Sequence, residues 1–354
     1  MTYRVGVVGF RRGTGPAHIF ASIPDCEIAA ICDLDERVLA YAHEQFPGVQ
    51  TFTDYSEMLR QDLDIVFVAT PVPIHAEHTI AALEAGCHVL QEVTLANSME
   101  QCRDILAAVR AHPQQKFMLA ENCCYWAQVM AWREMFAQGL LGEFMYAEAE
   151  YIHEIGSLLL DAGGKPTWRA SLPPIYYCTH SLGPLLMITG QRCVSACGLH
   201  TGSKRHRDLG HINMEVGIFQ TSNGGVIKIL CGFGVVREPM FHYYSLYGTK
   251  GTLETARPPL SLRTHAYLEA VPHLQNMIEI PLGYDVPGAP LQARLGGHGT
   301  AEYYMIQDFL QCIREDTRPP IDIFAALDMA LPGLCAHESA INGGKLVLVP
   351  DWRE

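Results

Sequence analysis

Along the first 120 residues, short apolar runs alternate with longer amphipathic stretches. Short runs of apolar and β-branched residues bounded by turn residues predict strands buried on both faces. Stretches with apolar residues three or four positions apart predict helices between them. The predicted strands cover residues 4–10, 26–33, 64–70, 88–93 and 116–122.

Two helices of this region have recognisable ends. Pro73 and Gly86 bound the first, as expected from proline in a first helical turn and glycine just past a last one. Ser98 with Gln101 three residues later forms a capping box that starts the second. This strand–helix alternation predicts an α/β fold, with an N-terminal Rossmann domain (a doubly wound parallel sheet) over residues 1–122.

After residue 122 the pattern changes. An alternating strand is predicted over 144–154, and SNGG at 222–225 reads as the turn of a hairpin. For residues 123–354 we predict a C-terminal α+β domain with an open, largely antiparallel sheet. Helices are predicted over 126–138, near 300–314 and over 324–341.

Composition narrows the class of protein. With 49% hydrophobic and 18% charged residues the chain is typical of a soluble globular protein, and its apolar runs are shorter than the ~18 residues of a membrane span. The net charge is -13 and the 25 basic residues form no stripe, which argues against nucleic-acid or membrane partners. The chain enters an apolar strand almost at once, so we expect no signal peptide and a cytoplasmic location.

Cysteines and histidines give little sign of a metal. The twelve cysteines lie mostly in apolar stretches without a CxxC pair, which predicts buried, reduced thiols. Of the sixteen histidines, none pairs with cysteine or carboxylate at a recognised zinc spacing. We therefore predict no metal.

A glycine-rich turn follows the first strand. Gly9 begins the sequence GFRRGTG ahead of a helix, where backbone N–H groups and the helix N-terminus can bind a pyrophosphate. Arg11 occupies the second glycine position of the usual fingerprint. Asp33 ends the second strand, about where an acid binds the adenosine ribose hydroxyls and repels a 2′-phosphate. The combination predicts NAD rather than NADP; the alternative for Asp33 is a helix N-cap, and Arg37 is expected to be a solvated charge.

In doubly wound sheets the chemistry lies beyond the carboxyl ends of the strands. Side chains at those ends are therefore expected to line the cofactor pocket, with the Glu92 carboxylate bonded to a nicotinamide-ribose hydroxyl. The predicted cofactor-binding residues are Gly9, Phe10, Arg11, Arg12, Asp33, Thr70, Pro71, His75, Glu92, Val93 and Asn122.

Several segments resemble the Gfo/Idh/MocA oxidoreductases, over essentially the whole chain. They are ATPVPIH (69–75), QEVTLA (91–96), AEN (120–122) and YGTKGTLE (247–254), together with the Gly9 turn and Asp33. The resemblance implies a nicotinamide cofactor in the N-terminal Rossmann domain. It also implies a C-terminal domain that binds a sugar and commonly mediates oligomerisation, so we expect a homo-oligomer, dimer or tetramer.

The chain departs from the usual family pattern at two catalytic positions. Val93 and Thr94 stand where most members have Lys-Pro, and Tyr176 stands where they have an aspartate. One branch of the family also lacks the lysine and has Glu-Val at that place. It is the NAD-dependent glycosidases typified by α-N-acetylgalactosaminidases, and the segments AENCCY, WR and YYCTHSLGP of this chain resemble its motifs. The positions that match the branch motifs are Glu121, Tyr151, His153, Trp168, Arg169, Tyr177 and His180.

The branch also fits less well at one point. After the predicted strand the archetype continues His-Asp-Leu-Arg, whereas this chain has His153-Glu154-Ile155-Gly156. The arginine of the archetype is thus missing from this chain. The same N-acetylated sugar is therefore not implied.

The resemblance implies glycoside hydrolysis by transient oxidation at sugar C3, elimination, water addition and re-reduction, with a tightly bound, recycled NAD. Such chemistry needs several proton-transfer groups. We predict His180, Tyr177, His153 and Tyr151 as catalytic residues. Substrate-binding residues are predicted to be Trp168, Arg169, Glu121 and His298.

Each of these assignments has a structural alternative. His180 follows Thr179, a predicted N-cap, so the helix dipole would keep its imidazole neutral and able to accept a proton. The alternative is that His180 only makes local hydrogen bonds at the start of the helix. Tyr151 and His153 share one face of a strand, which is either the sugar floor or the inner face of the sheet. Tyr177 is either activated by Arg169 or a core residue.

The remaining candidates lie in predicted loops. Trp168 and Arg169 either stack on and bond the sugar or anchor a lid. His298, flanked by glycines, either approaches the nicotinamide or belongs to a flexible loop.

Two other functions remain open. One is a plain NAD-dependent sugar dehydrogenase, or an enzyme that processes 3-keto-glycosides and runs only part of the cycle. The other is a catalytically silent NAD-binding scaffold.

Overall fold

The computed structural model describes residues 2–258 and 263–353. The chain divides into two compact units. The first contains Met1–Tyr125 and Pro287–Leu327, and the second contains Trp126–Val286 and Asp328–Glu354. The structure thus groups 287–327 with the first unit, whereas the division from the sequence assigned them to the second domain.

Strands and helices follow the order expected from the sequence. The strands are β1 (Tyr3–Val8), β2 (Cys26–Cys32), β3 (Gln50–Phe52), β4 (Ile65–Val68), β5 (His88–Gln91), β6 (Phe117–Leu119), β7 (Phe144–Ile152), β8 (Cys193–His200), β9 (Met214–Thr221), β10 (Val226–Gly232), β11 (Phe241–Gly248), β12 (Gly251–Thr255), β13 (Thr264–Leu268), β14 (Ile278–Ile280) and β15 (Val347–Leu348). The α-helices are α1 (Phe10–Ala21), α2 (Glu36–Gln45), α3 (Tyr55–Met58), α4 (His75–Glu84), α5 (Met99–Ala111), α6 (Ala127–Ala137), α7 (Trp168–Ser171), α8 (Thr179–Thr189), α9 (Ala301–Arg314) and α10 (Ile323–Ile341).

The first unit is built on a six-stranded parallel sheet in the order β3-β2-β1-β4-β5-β6. All four residues of β4 are fully buried, as expected for a central strand covered on both faces. The predicted doubly wound sheet is confirmed. At the start of α5 the Ser98 hydroxyl accepts the Gln101 N–H, so the predicted cap is also confirmed.

The second unit contains a nine-stranded sheet in the order β14-β13-β12-β11-β7-β10-β9-β8-β15. Among the described strand pairs of this sheet, only β7 and β10 run parallel. The predicted open, largely antiparallel sheet is therefore confirmed. The predicted turn at 222–225 joins β9 to β10, with the Thr221 N–H donating to Gly225 O at 2.8 Å. Both faces of β7 contain buried residues, Phe144, Glu150 and Ile152 on one and Ala147 and Ala149 on the other.

One predicted helix start is wrong by a residue. Thr179 is the first residue of α8, and the N-cap position belongs to Cys178, with no side-chain cap hydrogen bond. The cause lies upstream, because Pro174–Cys178 forms a 3₁₀ turn that runs directly into the helix. His180 nevertheless lies in the first turn of α8, as expected.

Among the helices of residues 2–258 and 263–353, none is both long enough and apolar enough to cross a membrane.

Candidate active site

In the first unit, the turn between β1 and α1 requires glycine at its first position. Gly9 has φ 86°, a left-handed conformation, and a Cβ atom there would lie 2.5 Å from the carbonyl oxygen of Ala69. Gly9 is also the N-cap of α1 and offers no side-chain cap. The adjacent Phe10 N–H donates to Asp33 Oδ2 at 2.9 Å, which ties the turn to the end of β2.

The Asp33 carboxylate belongs to this turn rather than to α2. Its second oxygen accepts the Asp35 N–H at 3.0 Å, and Asp35 is the N-cap of α2, accepting from the Arg37 N–H. The N-cap alternative for Asp33 is therefore wrong. The Arg37 side chain is 87% exposed and pairs with Asp35, as expected for a solvated charge, and Arg11 pairs with the same carboxylate at the surface.

Arg12 turns inward, into a cluster of buried carboxylates. Its Nη2 lies 2.7 Å from Glu92 Oε1 and 3.1 Å from Glu302 Oε1. The Glu302 side chain is fully buried and also accepts the His298 N–H at 3.0 Å, with His298 Nδ1 at 2.9 Å. Burial alone would raise the pKa of Glu302, but the hydrogen bonds and charges of His298 and Arg12 outweigh it, and the pKa is lowered.

Glu302 was not among the residues predicted from the sequence. Its signal was an acid four residues after His298, in the first turn of a helix. Glu92, predicted to bond a ribose hydroxyl, has one carboxylate oxygen on Arg12 and the other 3.2 Å from the Val93 N–H.

His75 is buried beneath the ends of β4 and β5. Its Nε2 lies 2.6 Å from Thr70 O and its Nδ1 lies 2.9 Å from Thr94 O. Burial lowers the pKa of His75 to about 4, although the two carbonyls act in the opposite direction. The ring thus links the loops that follow the two strands. Two other predicted cofactor-binding residues lie in these loops, where Pro71 is exposed and Val93 is buried.

Buried polar atoms at the carboxyl ends of the strands fit a polar ligand. Thr70 Oγ1, after β4, and Asn122 Nδ2, after β6, are buried and have no hydrogen-bond partner within the described residues. Buried polar atoms are normally satisfied, so each indicates a missing partner. Together with the Gly9 turn and Asp33, these atoms suit a dinucleotide. Glu121 is also fully buried here and accepts the Cys123 N–H at 3.2 Å.

In the second unit, Tyr151 and His153 lie at the carboxyl end of β7. The Tyr151 hydroxyl is 3.0 Å from His153 Nδ1, so the two side chains share one face as predicted. Burial, assisted by the Arg169 charge, lowers the pKa of His153, with nearby Glu238 and Glu154 opposing. The imidazole is therefore neutral and able to accept a proton near pH 7.

The other predicted residues of this unit contact the same rings. The His180 ring lies 5.4 Å from Tyr151, edge to face, and 6.0 Å from Tyr177. Arg169 donates to the Tyr177 hydroxyl at 3.2 Å and its guanidinium lies 4.3 Å over the Trp168 ring. We call Tyr151, His153, Tyr177 and His180, with Arg169, the ring cluster.

One further histidine belongs to this arrangement and was missed from the sequence. His242, on β11, pairs with Tyr151 across the sheet, and the two rings stack at 4.3 Å and 13°. Its ring is also 5.9 Å from His180, and the residue is only 6% exposed. Because partners across strands cannot be read from one sequence, no local motif marks it.

Two family descriptions match the two parts of the chain. Residues 3–120 match "Oxidoreductase family, NAD-binding Rossmann fold", and residues 200–354 match "Glycosyl hydrolase 109, C-terminal domain". The chain joins a Gfo/Idh/MocA NAD-binding domain to a glycosyl hydrolase 109 C-terminal domain. The predicted resemblance is confirmed.

Two relatives with curated names are similar to this chain over nearly its whole length. A glycosyl hydrolase family 109 protein of Solibacter usitatus is 27% identical over 99% of this chain and 88% of its own. An α-N-acetylgalactosaminidase of Shewanella oneidensis is 26% identical over 99% of this chain and 84% of its own. The structure of scyllo-inositol dehydrogenase from Lactobacillus casei, with NAD(H) and scyllo-inositol bound, has a TM-score of 0.78 at 19% identity, covering 99% of each chain, and shows the same fold.

Proposed function

We propose that this protein is an NAD-dependent glycosidase that works by transient oxidation at sugar C3. The observation that carries the proposal is the ring cluster, which gathers two phenols, two imidazoles and a guanidinium in ring contact. The relatives named as family 109 glycosidases support hydrolysis as the net reaction.

The cofactor is NAD, for which the Gly9 turn, Asp33, Thr70 and Asn122 are the binding groups. When bound, NAD supplies a hydride acceptor and returns the hydride later. Asp33 sits where a 2′-phosphate would meet a negative charge, which favours NAD over NADP.

The ring cluster supplies the proton transfers. The guanidinium of Arg169 favours negative charge on the Tyr177 oxygen, which suits this phenol to take the proton of the C3 hydroxyl. Once C3 is a ketone, the C2–H bond is acidic, and His180 or Tyr151 removes that proton as the C1–O bond to the aglycone breaks. Water then adds at C1, a proton returns to C2, and C3 is reduced.

His153 completes the set through its contact with Tyr151. Its lowered pKa keeps the imidazole neutral near pH 7, so its ring nitrogen can accept a hydrogen bond from the phenol 3.0 Å away and orient that hydroxyl. Trp168 offers an aromatic face for a sugar ring, and Glu121 and His298 stay assigned to substrate binding.

A second candidate is a sugar dehydrogenase that stops after oxidation. The fold shared with scyllo-inositol dehydrogenase favours it. A third, a silent NAD-binding scaffold, would leave the ring cluster without a chemical role.

One experiment separates the three. Purified protein is incubated with a panel of aryl glycosides, following aglycone release, free NADH and deuterium uptake at C2 in D2O. A self-recycling glycosidase releases aglycone without added cofactor, exchanges C2 hydrogen and accumulates no NADH. Stoichiometric NADH without aglycone would establish the dehydrogenase, and neither signal, with His180→Ala unchanged, would establish the scaffold.

The proposal also covers the retention of the cofactor, the partners, the need for a metal, the assembly and the domains. NAD stays tightly bound through purification and is recycled. The substrate is a small sugar or glycoside, with neither nucleic acid nor membrane as a partner, and no metal is needed, so EDTA leaves activity unchanged. The protein is a cytoplasmic homo-oligomer, dimer or tetramer, which sedimentation measures. The division into residues 1–122 and 123–354 stays a proposal about the two domains.

A further inference from the structure

Gly15, the third glycine of GFRRGTG, lies within α1 and contacts another segment of the chain. A Cβ atom at Gly15 would lie 3.2 Å from both Gly296 Cα and Gly297 N. A Cβ at Gly296 would in turn lie 2.0 Å from Glu302 Oε2. Gly296 and Gly297 begin the segment 296–302, here named the clasp segment, and their backbone packs against α1 at Gly15. A side chain at Gly15 would force this contact to give by a few tenths of an ångström.

A charged cluster fastens the clasp segment at the same place. Glu302, at the start of α9, binds Arg12 of α1, and Arg12 also binds Glu92 beyond β5. His298 closes the cluster by holding both oxygens of Glu302. Removing one partner of a buried ion pair leaves an uncompensated charge, so the loss of Glu302 is expected to disturb the contact between α1 and the clasp segment.

The cluster acts on the part of α1 that meets the cofactor. Arg12 is the third residue of α1, one turn from Gly9. With its guanidinium held by two carboxylates, the first turn of the helix is fixed with its amides aligned for a pyrophosphate. A preformed site binds more tightly because less freedom is lost on binding.

We propose that Glu302 is a positioning residue for cofactor retention, acting through Arg12 and the clasp segment to hold the Gly9 turn in its NAD-binding form. The inference rests on NAD binding, which the proposed function includes, and not on glycoside hydrolysis. Glu302 itself is not assigned a contact with NAD or with substrate.

The test measures NAD rather than hydrolysis. Glu302→Gln keeps the size of the side chain but removes the charge that holds Arg12 and His298. We expect about tenfold weaker NAD binding, within the range usual for coupling between neighbouring sites. The readouts are NAD content after gel filtration and the Kd of NADH by fluorescence. Glu315→Gln, an exposed residue at the end of the same helix, is the matched control and should bind NAD as the wild type does.

A second variant reaches the clasp segment without touching a charge. Gly15→Ala places a methyl group against Gly296 and should weaken NAD binding in the same direction, by a smaller factor. It also decides the question if Glu302→Gln does not fold.

Any of four results would overturn the inference. The first two are wild-type NAD binding by a folded Glu302→Gln and tighter binding because a released Arg12 reaches the cofactor. The third is wild-type binding by Gly15→Ala when the first variant does not fold. The fourth is a loss of NAD that matches only a lower melting temperature of the NAD-free protein. If NAD binds as expected but no glycoside is cleaved, the proposed glycosidase fails while this inference stands.

Discussion

The two units of the molecule build their polar sites from different chemical groups. In the first, the guanidinium of Arg12 is paired with the carboxylates of Glu92 and Glu302. In the second, Tyr151 and His180 belong to a cluster of rings that contact one another by edges and faces. Each kind of group suits a different task.

Paired charges fix geometry, whereas phenols and imidazoles exchange protons. A guanidinium does not give up its proton at pH 7, so Arg12 can orient but cannot serve as a base. A neutral imidazole such as His153 can accept one. The contrast implies that variants in the ring cluster should stop chemistry without releasing NAD, and that variants in the charged cluster should do the reverse.

The largest expected effect comes from the ring cluster. Tyr177→Phe keeps the ring but removes the hydroxyl that Arg169 contacts, so we expect aglycone release to fall by about 100- to 10,000-fold. NAD content should not change. Tyr267→Phe removes a hydroxyl that donates to a backbone carbonyl at the surface of the same unit, and it should hydrolyse normally. Wild-type turnover by Tyr177→Phe would remove the ring cluster from the mechanism.

The next effect concerns stability rather than turnover, and it lies in the first unit. The pKa of His75 is about 4 in the folded protein against 6.5 ordinarily, so below pH 6.5 the unfolded chain takes up a proton that the folded chain refuses. Stability contributed by the neutral ring is thus present above pH 6.5 and is lost as pH falls toward 4. The loss amounts to about 3 kcal/mol in the free energy of unfolding.

Denaturant titrations of the wild type and His75→Gln at pH 7 and pH 5 measure this effect. The variant should lose less stability on acidification, although other buried histidines keep part of the slope in both proteins. His43→Gln, at an exposed histidine of the same unit, should leave the slope unchanged. Equal slopes for wild type and His75→Gln would show that the ring does not resist protonation.

A smaller effect is expected at His242, behind the ring cluster. His242→Phe keeps an aromatic ring stacked on Tyr151, so turnover should fall by less than about tenfold, whereas His242→Ala removes that support and should cost more, because misplacing a reacting group slows the chemistry. Both kcat and its pH profile should be measured, with KM as a check on binding. If the two variants are equally slow, the imidazole itself takes part in proton transfer.

The comparison also shows what a single sequence can reveal. The Ser98 cap is a local signal, because its partner Gln101 lies three residues away. Gly9 and Asp33 could be recognised because each lies at the end of a predicted strand, although their partners Ala69 and Phe10 lie far away in sequence. His242 and Glu302 were missed because their partners lie far away in sequence, Tyr151 across a strand ladder and Arg12 on another helix. Thr179 was placed one residue out because a preceding 3₁₀ turn extends the helical backbone.

The smallest expected effect lies at the surface beside the cofactor turn. An arginine near this turn is a candidate for binding a 2′-phosphate, but the Arg37 side chain is 87% exposed and already pairs with Asp35 at 2.9 Å. Exposed pairs of this kind contribute little, so Arg37→Ala should leave the Kd values of NAD and NADP within roughly twofold of the wild type. Asp33→Ser removes the carboxylate that follows β2. It should weaken NAD binding and reduce the ratio of the Kd of NADP to the Kd of NAD. A marked loss of NADP binding in Arg37→Ala would place that side chain at the cofactor. It would also weaken the contrast between Arg12 of α1, which binds buried carboxylates, and Arg37 of α2, which is exposed.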